Sequence, residues 1–286
     1  MKVLSLFDGI SCGMVALERA GIPVERYVAY EIEPNAIKIS KKNYPQIEHC
    51  GDVTTADFTQ YRGFDLLIGG SPCQSLSIVQ SKTRKHLDGK SKLFFEFVRA
   101  FEETKPRWFL FENVASMNEE SKQVISELLG CEPIFIDSGD FSAQERPRYY
   151  WTNIPVLLNY KKETAVLGDV LEADVDEKYF YSHPLENIDL SKQVCATMIF
   201  KNHDMHKRVF NPRFKCHTLT CCGGGNTQKK VFVNGKARKL TPLEYERLQT
   251  LPDGYTEGVA NGHRYNAIGN CWTVDVIAHI MKGLIE

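Results

Sequence analysis

Nowhere in the 286 residues of this chain does an apolar run approach the ~20 that a helix needs to cross a bilayer, which excludes a helical membrane protein. The start, Met1-Lys2-Val3-Leu4-Ser5-Leu6-Phe7-Asp8, lacks the pattern of a secretory leader, because an acid follows the single lysine within a few residues. The nine cysteines are odd in number and lack the spacing of a disulfide framework. They read as reduced thiols, and a soluble, cytoplasmic protein with no membrane partner is expected. No Cys-x-x-Cys pair occurs, and among His203, His206, Cys216, His217, Cys221 and Cys222 the adjacent cysteines make a poor tetrahedral pair, so no metal is expected. Internal repeats and low-complexity tracts are missing. Net charge is nearly missing too, at −1, which argues at first sight against bulk attraction to nucleic acid.

What is present is apolar material, 43% of residues, enough for one large domain or a domain with an elaborated second lobe. The first half alternates short apolar runs with helical patterns, the rhythm of a parallel α/β sheet. Strands are expected at Val3–Phe7, Tyr27–Tyr30, Phe64–Ile68 and Trp108–Phe111, with later ones at Ile134–Asp137 and Tyr149–Thr152. Helices are expected at Met14–Ala20, closed by Gly21, and at Pro34–Asn43 and Leu93–Thr104. After about residue 155 the rhythm is lost and charge segregates: net −7 over 163–189 and net +9 over 201–239. Helical pattern returns at Pro242–Thr250 and Val274–Leu284. The domains expected are 1–155 plus 262–286, and 156–261.

The turn after the first strand, Asp8-Gly9-Ile10-Ser11-Cys12-Gly13, suits a nucleotide-like ligand, since glycines let a ligand approach backbone NH groups near a helix start. Its glycine spacing is not the dinucleotide pattern. Glu31, 22 residues after Gly9 and at the end of the second strand, is placed to accept hydrogen bonds from ribose hydroxyls. Gly51-Asp52 adds a third acid where another strand ends. The sharpest signal is Gly69-Gly70-Ser71-Pro72-Cys73-Gln74, straight after an apolar run. A thiol there faces the crevice where parallel sheets bind ligands. Arg146 and Arg148, two apart, are expected to point from one strand to the same face.

Gly69–Gln74, Phe111-Glu112-Asn113-Val114, Gln144-Glu145-Arg146-Pro147-Arg148 and Gly269-Asn270 occur in the order of the motifs of DNA (cytosine-5)-methyltransferases, and the chain resembles that family over nearly its whole length. Around Ser77-Ile78 and Leu93–Val114 it looks like the catalytic domain of the animal de novo branch without its regulatory extensions, a stand-alone unit of bacterial or phage type. The resemblance implies an α/β, Rossmann-like S-adenosylmethionine-dependent methyltransferase fold with a small target-recognition lobe. It implies methyl transfer from S-adenosylmethionine to C5 of a cytosine flipped out of duplex DNA. C5 is too electron-poor to be methylated directly, so a thiolate, Cys73, first adds to C6. Glu112 places a proton or hydrogen bond at N3, while Arg146 and Arg148 hold the base oxygen and a phosphate. Cofactor contacts fall on Phe7, Asp8, Gly9, Glu31 (ribose), Ile32, Asp52 (adenine), Val53, Ser71, Asn270 and Trp272.

Two departures stand out. Ser11 occupies the place of a second glycine of the first motif, and Cys271-Trp272-Thr273-Val274 follows Gly269-Asn270 where a small residue and valine are usual. DNA contacts are expected from two segments. One is the loop after Cys73, net +4 over 81–92, with Gln74, Ser75, Lys82 and Arg84. The other is the basic lobe, with Arg213, Thr220, Asn226, Gln228, Lys229, Lys230 and Arg238. A cognate restriction endonuclease is a further possible partner. RNA cytosine methylation, and a non-catalytic DNA-binding role, stand as alternatives. Amino-group methylation is disfavoured, because Ser71-Pro72-Cys73-Gln74 lacks the second proline and aromatic residue that hold an NH2 group.

Overall fold

Val3 to Leu6 are buried without alternation, which is what a strand covered on both faces requires. This strand, β1 (Lys2–Leu6), lies third in the seven-stranded main sheet of the chain in a computed structural model that describes residues 1–71, 92–201, 203–222 and 226–285. It is followed by α1 (Cys12–Arg19), β2 (Arg26–Tyr30), α2 (Pro34–Asn43), β3 (Glu48–His49), β4 (Leu66–Gly69), α3 (Lys92–Thr104), β5 (Trp108–Val114), α4 (Glu119–Leu129), β6 (Ile134–Asp137), β7 (Gln144–Glu145) and β8 (Pro147–Thr152). The sheet runs β3-β2-β1-β4-β5-β8-β6. β1 pairs in parallel with β2 on one side and β4 on the other, so the order reverses at β1. Ligands of such sheets sit beyond the carboxyl ends of the strands at that reversal. β8 runs antiparallel to β5, bringing Tyr150 opposite Glu112 and Arg148 opposite Val114.

The core under this sheet is aromatic. Phe94 and Phe97, three apart on α3, both pack on Phe111 of β5, with ring centroids 5.2 and 4.8 Å away. Trp151 of β8 closes on the same ring. Burying each of these side chains contributes roughly 2–3 kcal/mol. The helix α4, absent from the sequence expectation, starts on Asn118, whose side chain accepts from the Ser121 amide, and stops at Gly130 in the left-handed conformation.

Two compact units emerge. The first comprises 1–136, 147–160 and 276–286; the second comprises 137–146 and 161–275. The second holds β9 (Leu185–Glu186), β10 (Val194–Met198), α5 (Asp204–Lys207), β11 (Arg208–Phe210), β12 (Cys216–His217), β13 (Lys230–Val233), β14 (Lys236–Lys239), α6 (Pro242–Leu248) and α7 (Asn261–Asn270), and the chain ends on α8 (Val274–Lys282). A five-stranded sheet, β14-β13-β11-β10-β9, covers a small core of Ala196, Met198, Val209 and Ala237. Residues 262–275, grouped by sequence with the first domain, count with this second unit, as does 137–146. Among the described residues no helix is long and apolar enough to cross a membrane, and no cluster of His, Cys, Asp or Glu is placed to hold a metal.

Candidate active site

In the first unit most of the predicted cofactor residues follow the ends of β1, β2, β3 and β4. Phe7 and Gly9 both adopt positive φ directly after β1, turning the chain across the sheet edge. Among the described residues a Cβ at Gly9 would meet nothing within 4 Å, whereas its positive φ calls for glycine. The Gly9 amide donates to Glu31 Oε2 at 2.8 Å, and Glu31 Oε1 accepts the amides of Ile32 and Glu33, each at 2.8 Å. Three backbone donors thus aim this carboxylate from the end of β2. Beside it Ile32 is 69% exposed, an apolar surface beside an acid, which suits a flat base above a ribose. Asp52, beyond β3, is exposed and braced by the Thr54 amide and hydroxyl, both at 2.9 Å. These features fit an adenosine group.

Three of the predicted cofactor side chains are buried or bonded internally. Val53 and Ser71 are buried. The Asp8 carboxylate accepts from Ser5, Tyr27 and Ser11 and is turned under the turn, where it holds the turn internally.

Glu112 lies one residue beyond Phe111, which is level with Gly69 at the end of β4. It is therefore at the same sheet edge as Glu31. Its carboxylate is buried and accepts from Arg148 Nε at 2.7 Å. Asn113 reaches back to the Ser71 carbonyl at 3.4 Å, holding the segment that follows β4. Cys73, Gln74, Ser75, Lys82 and Arg84 lie outside the described residues.

Arg146 departs from expectation. It falls between β7 and β8 instead of sharing a strand with Arg148, and its guanidinium is buried. The three donors facing Leu219, Gly269 and Cys271 bind those backbone carbonyls at 2.9, 3.2 and 3.0 Å. These bonds stitch the second unit together. Gln144 does likewise: its side chain donates to the Leu248 carbonyl and to Gln249, and accepts the Leu219 amide at 2.7 Å. Nothing in spacing distinguishes such inward-facing polar residues from outward ones; only the partners do.

The family model for C-5 cytosine-specific DNA methylases matches residues 1–286. The chain belongs to the C-5 cytosine-specific DNA methylase family. It is an S-adenosylmethionine-dependent enzyme that methylates C5 of cytosine in DNA. Among relatives, the type II methyltransferase M.Eco47II of Escherichia coli is 27% identical, covering 99% of this chain and 78% of that protein. The orphan methyltransferase M.SPBetaI of Bacillus phage SPbeta is 24% identical, covering 100% and 98%. The S. pombe Dnmt2 methyltransferase structure superposes with a TM-score of 0.75 at 20% identity, over 100% of this chain and 98% of that one. At that identity the likeness supports the Rossmann-like methyltransferase fold alone.

In the second unit of the methylase the predicted DNA contacts divide. Arg213, Thr220 and Asn226 are exposed, and Lys229 is half-buried with its ammonium 5.4 Å from the Phe210 ring. Gln228, Lys230 and Arg238 are buried, unlike the exposed residues expected of DNA contacts. Lys230 Nζ donates to the carbonyls of His206, Asn226 and Gln228 at 2.7, 2.7 and 2.9 Å. Arg238 is locked on Glu244 by two bonds of 2.8 and 2.6 Å. Both are basic by composition and internal by structure. Asn270 is exposed at the end of α7, and Trp272, half-buried, follows it.

Proposed function

We propose that Cys73 is the nucleophile and Glu112 the proton partner of N3, acting on a cytosine flipped out of duplex DNA, with S-adenosylmethionine bound by Phe7, Gly9, Glu31, Ile32, Asp52, Asn270 and Trp272. The reading rests most on the Glu112–Arg148 pair, a buried carboxylate at the same strand ends as the Glu31 cradle. S-adenosylmethionine supplies the methyl group as a sulfonium. The Cys73 thiolate adds to C6, and the proton that Glu112 holds at N3 accepts the charge that this addition pushes into the ring. Arg148 fixes the Glu112 carboxylate and keeps water from reorienting it. Glu31 receives the ribose hydroxyls while exposed Ile32 covers one face of the adenine. The second unit is the target-recognition lobe, where exposed Arg213, Thr220 and Asn226 meet the duplex. We place the enzyme in the cytoplasm. A cognate restriction endonuclease remains the partner to seek, since relatives bear both type II and orphan designations.

Labelled S-adenosylmethionine with cytosine-containing duplexes should give product methylated at C5, and duplexes carrying 5-fluorocytosine should trap a covalent adduct. Cys73→Ala should abolish both. Full activity of that variant overturns the assignment of the nucleophile.

A further inference from the structure

Ser11 stands at φ 62°, ψ 39°, the left-handed region that glycine enters freely and serine does not. It is the N-cap of α1, yet its hydroxyl makes no capping bond. The hydroxyl turns inward, 2.5 Å from Asp8 Oδ2 and 2.6 Å from Ser40 Oγ of α2. Ser40 in turn lies 3.0 Å from Nε2 of His49 on β3. Both serines are fully buried.

The direction of each bond follows by elimination. An ionised Asp8 only accepts, and it takes the hydroxyl protons of Ser5, Ser11 and Tyr27. The proton of Ser11 is thus spent, so its oxygen accepts from Ser40. The proton of Ser40 is then spent as well, so its oxygen accepts Nε2–H of His49. That tautomer leaves Nδ1 bare, and among the described residues the buried His49 Nδ1 has no hydrogen-bond partner.

We propose that Ser11, Ser40 and His49 are positioning residues of the adenosine site. A one-way relay from His49 through Ser40 and Ser11 to Asp8 ties the strand that leads into Asp52 to the turn that presents Gly9 to Glu31. It replaces the conformational freedom of a glycine with a hydrogen-bonded brace. The inference rests on reading this sheet edge as the S-adenosylmethionine site. Protonating His49 would place a donor at Nδ1, where no acceptor stands among the described residues. Burial, and then Lys41 on α2, hold its pKa below the ordinary 6.5, against the pull of Glu31. At the other end burial pushes the Asp8 carboxyl up against the pull of its three hydroxyls.

The test is calorimetric binding of S-adenosylhomocysteine to the full chain between about pH 5 and 8, the range in which histidine titrates. Ser40→Ala and His49→Phe should each weaken binding about fivefold or more, the worth of a lost buried hydrogen bond. Ser11→Gly should weaken it too, although it relieves the backbone, and it keeps the test open if a cavity at Ser40 unfolds the chain. His49→Gln, which keeps a donor at the position of Nε2, should restore affinity and flatten the fall that the wild type shows in acid. Wild-type affinity in Ser11→Gly and His49→Phe overturns the relay. Absence of binding by the wild type overturns the site reading instead. The ring nitrogen NMR spectrum then judges the relay by itself: Nε2–H in the wild type, lost in Ser40→Ala, supports it, and Nδ1–H in the wild type overturns it.

Discussion

Lys230 shows how a residue that reads as a surface cation becomes a structural one. Its ammonium is withdrawn from water and held by three carbonyls, and burial pushes its pKa down to about 8, with Lys229 adding to the shift and Cys222 opposing it. An ordinary lysine titrates near 10.5. Between those values the unfolded chain binds the extra proton, so this residue's contribution to stability grows as pH rises from about 8 to 10.5, by up to about 3 kcal/mol. Urea unfolding of the wild type against Lys230→Met across that range isolates the effect, which the variant lacks. At pH 7 the same variant leaves three carbonyls without their donor and should lose about 2–3 kcal/mol. Glu112→Gln tests another buried charge. It keeps the shape but not the exchangeable carboxyl proton, and should lower kcat by about 100-fold or more while cofactor binding by calorimetry stays within twofold. Equal kcat would remove Glu112 from proton transfer.

At the scale of elements, close backbone crossings fix how segments meet. A Cβ on Gly269 of α7 would lie 2.4 Å from the Thr220 carbonyl oxygen, which cannot be relieved by a side-chain rotation. Gly269→Ala must push α7 away from the segment that Arg146 also grips, and should cost about 3 kcal/mol or more in thermal unfolding. A Cβ on Gly69 at the end of β4 would be tight as well, 2.9 Å from the Leu6 carbonyl oxygen and 3.0 to 3.1 Å from the Phe97 ring. The elements of the first unit were legible because consecutive buried residues mark covered strands: Pro34–Asn43 and Ile134–Asp137 coincide with observed elements, and β1, β2 and β4 lie within two residues of their expected ends. The strands of the second unit and α7 were not legible. β10 to β14 are two to five residues long and α7 carries Asn, Gly, His and Arg, so neither shows a clear period. Arg146 was misplaced for a related reason. A two-residue spacing implies one face only if the strand is continuous, and here it begins at Pro147.

For the whole molecule, net charge hides a division that only burial resolves. The +9 of residues 201–239 includes Lys230 and Arg238, both internal, and Lys215, whose ammonium binds the carbonyls of Ser142, Glu163 and Ala165. The exposed cations of this segment are Lys201, Arg208, Arg213 and Lys236. Arg213→Glu should therefore weaken duplex binding uniformly across sequences and lower the slope of log affinity against log salt by about 1 or more, whereas Lys38→Glu on α2 should leave the slope unchanged. Equal losses at both would refute local contact by the second unit. The sequence by itself determined the parallel α/β first half, the order of the four motifs and hence the family, because apolar runs and motif residues are local signals that survive without coordinates. Only the tertiary structure decided which polar residues of those motifs face inward. Asp8, Gln144, Arg146, Lys230 and Arg238 are spent on partners distant in sequence or hidden by the fold, and a buried polar group must find such partners whatever its spacing in the chain.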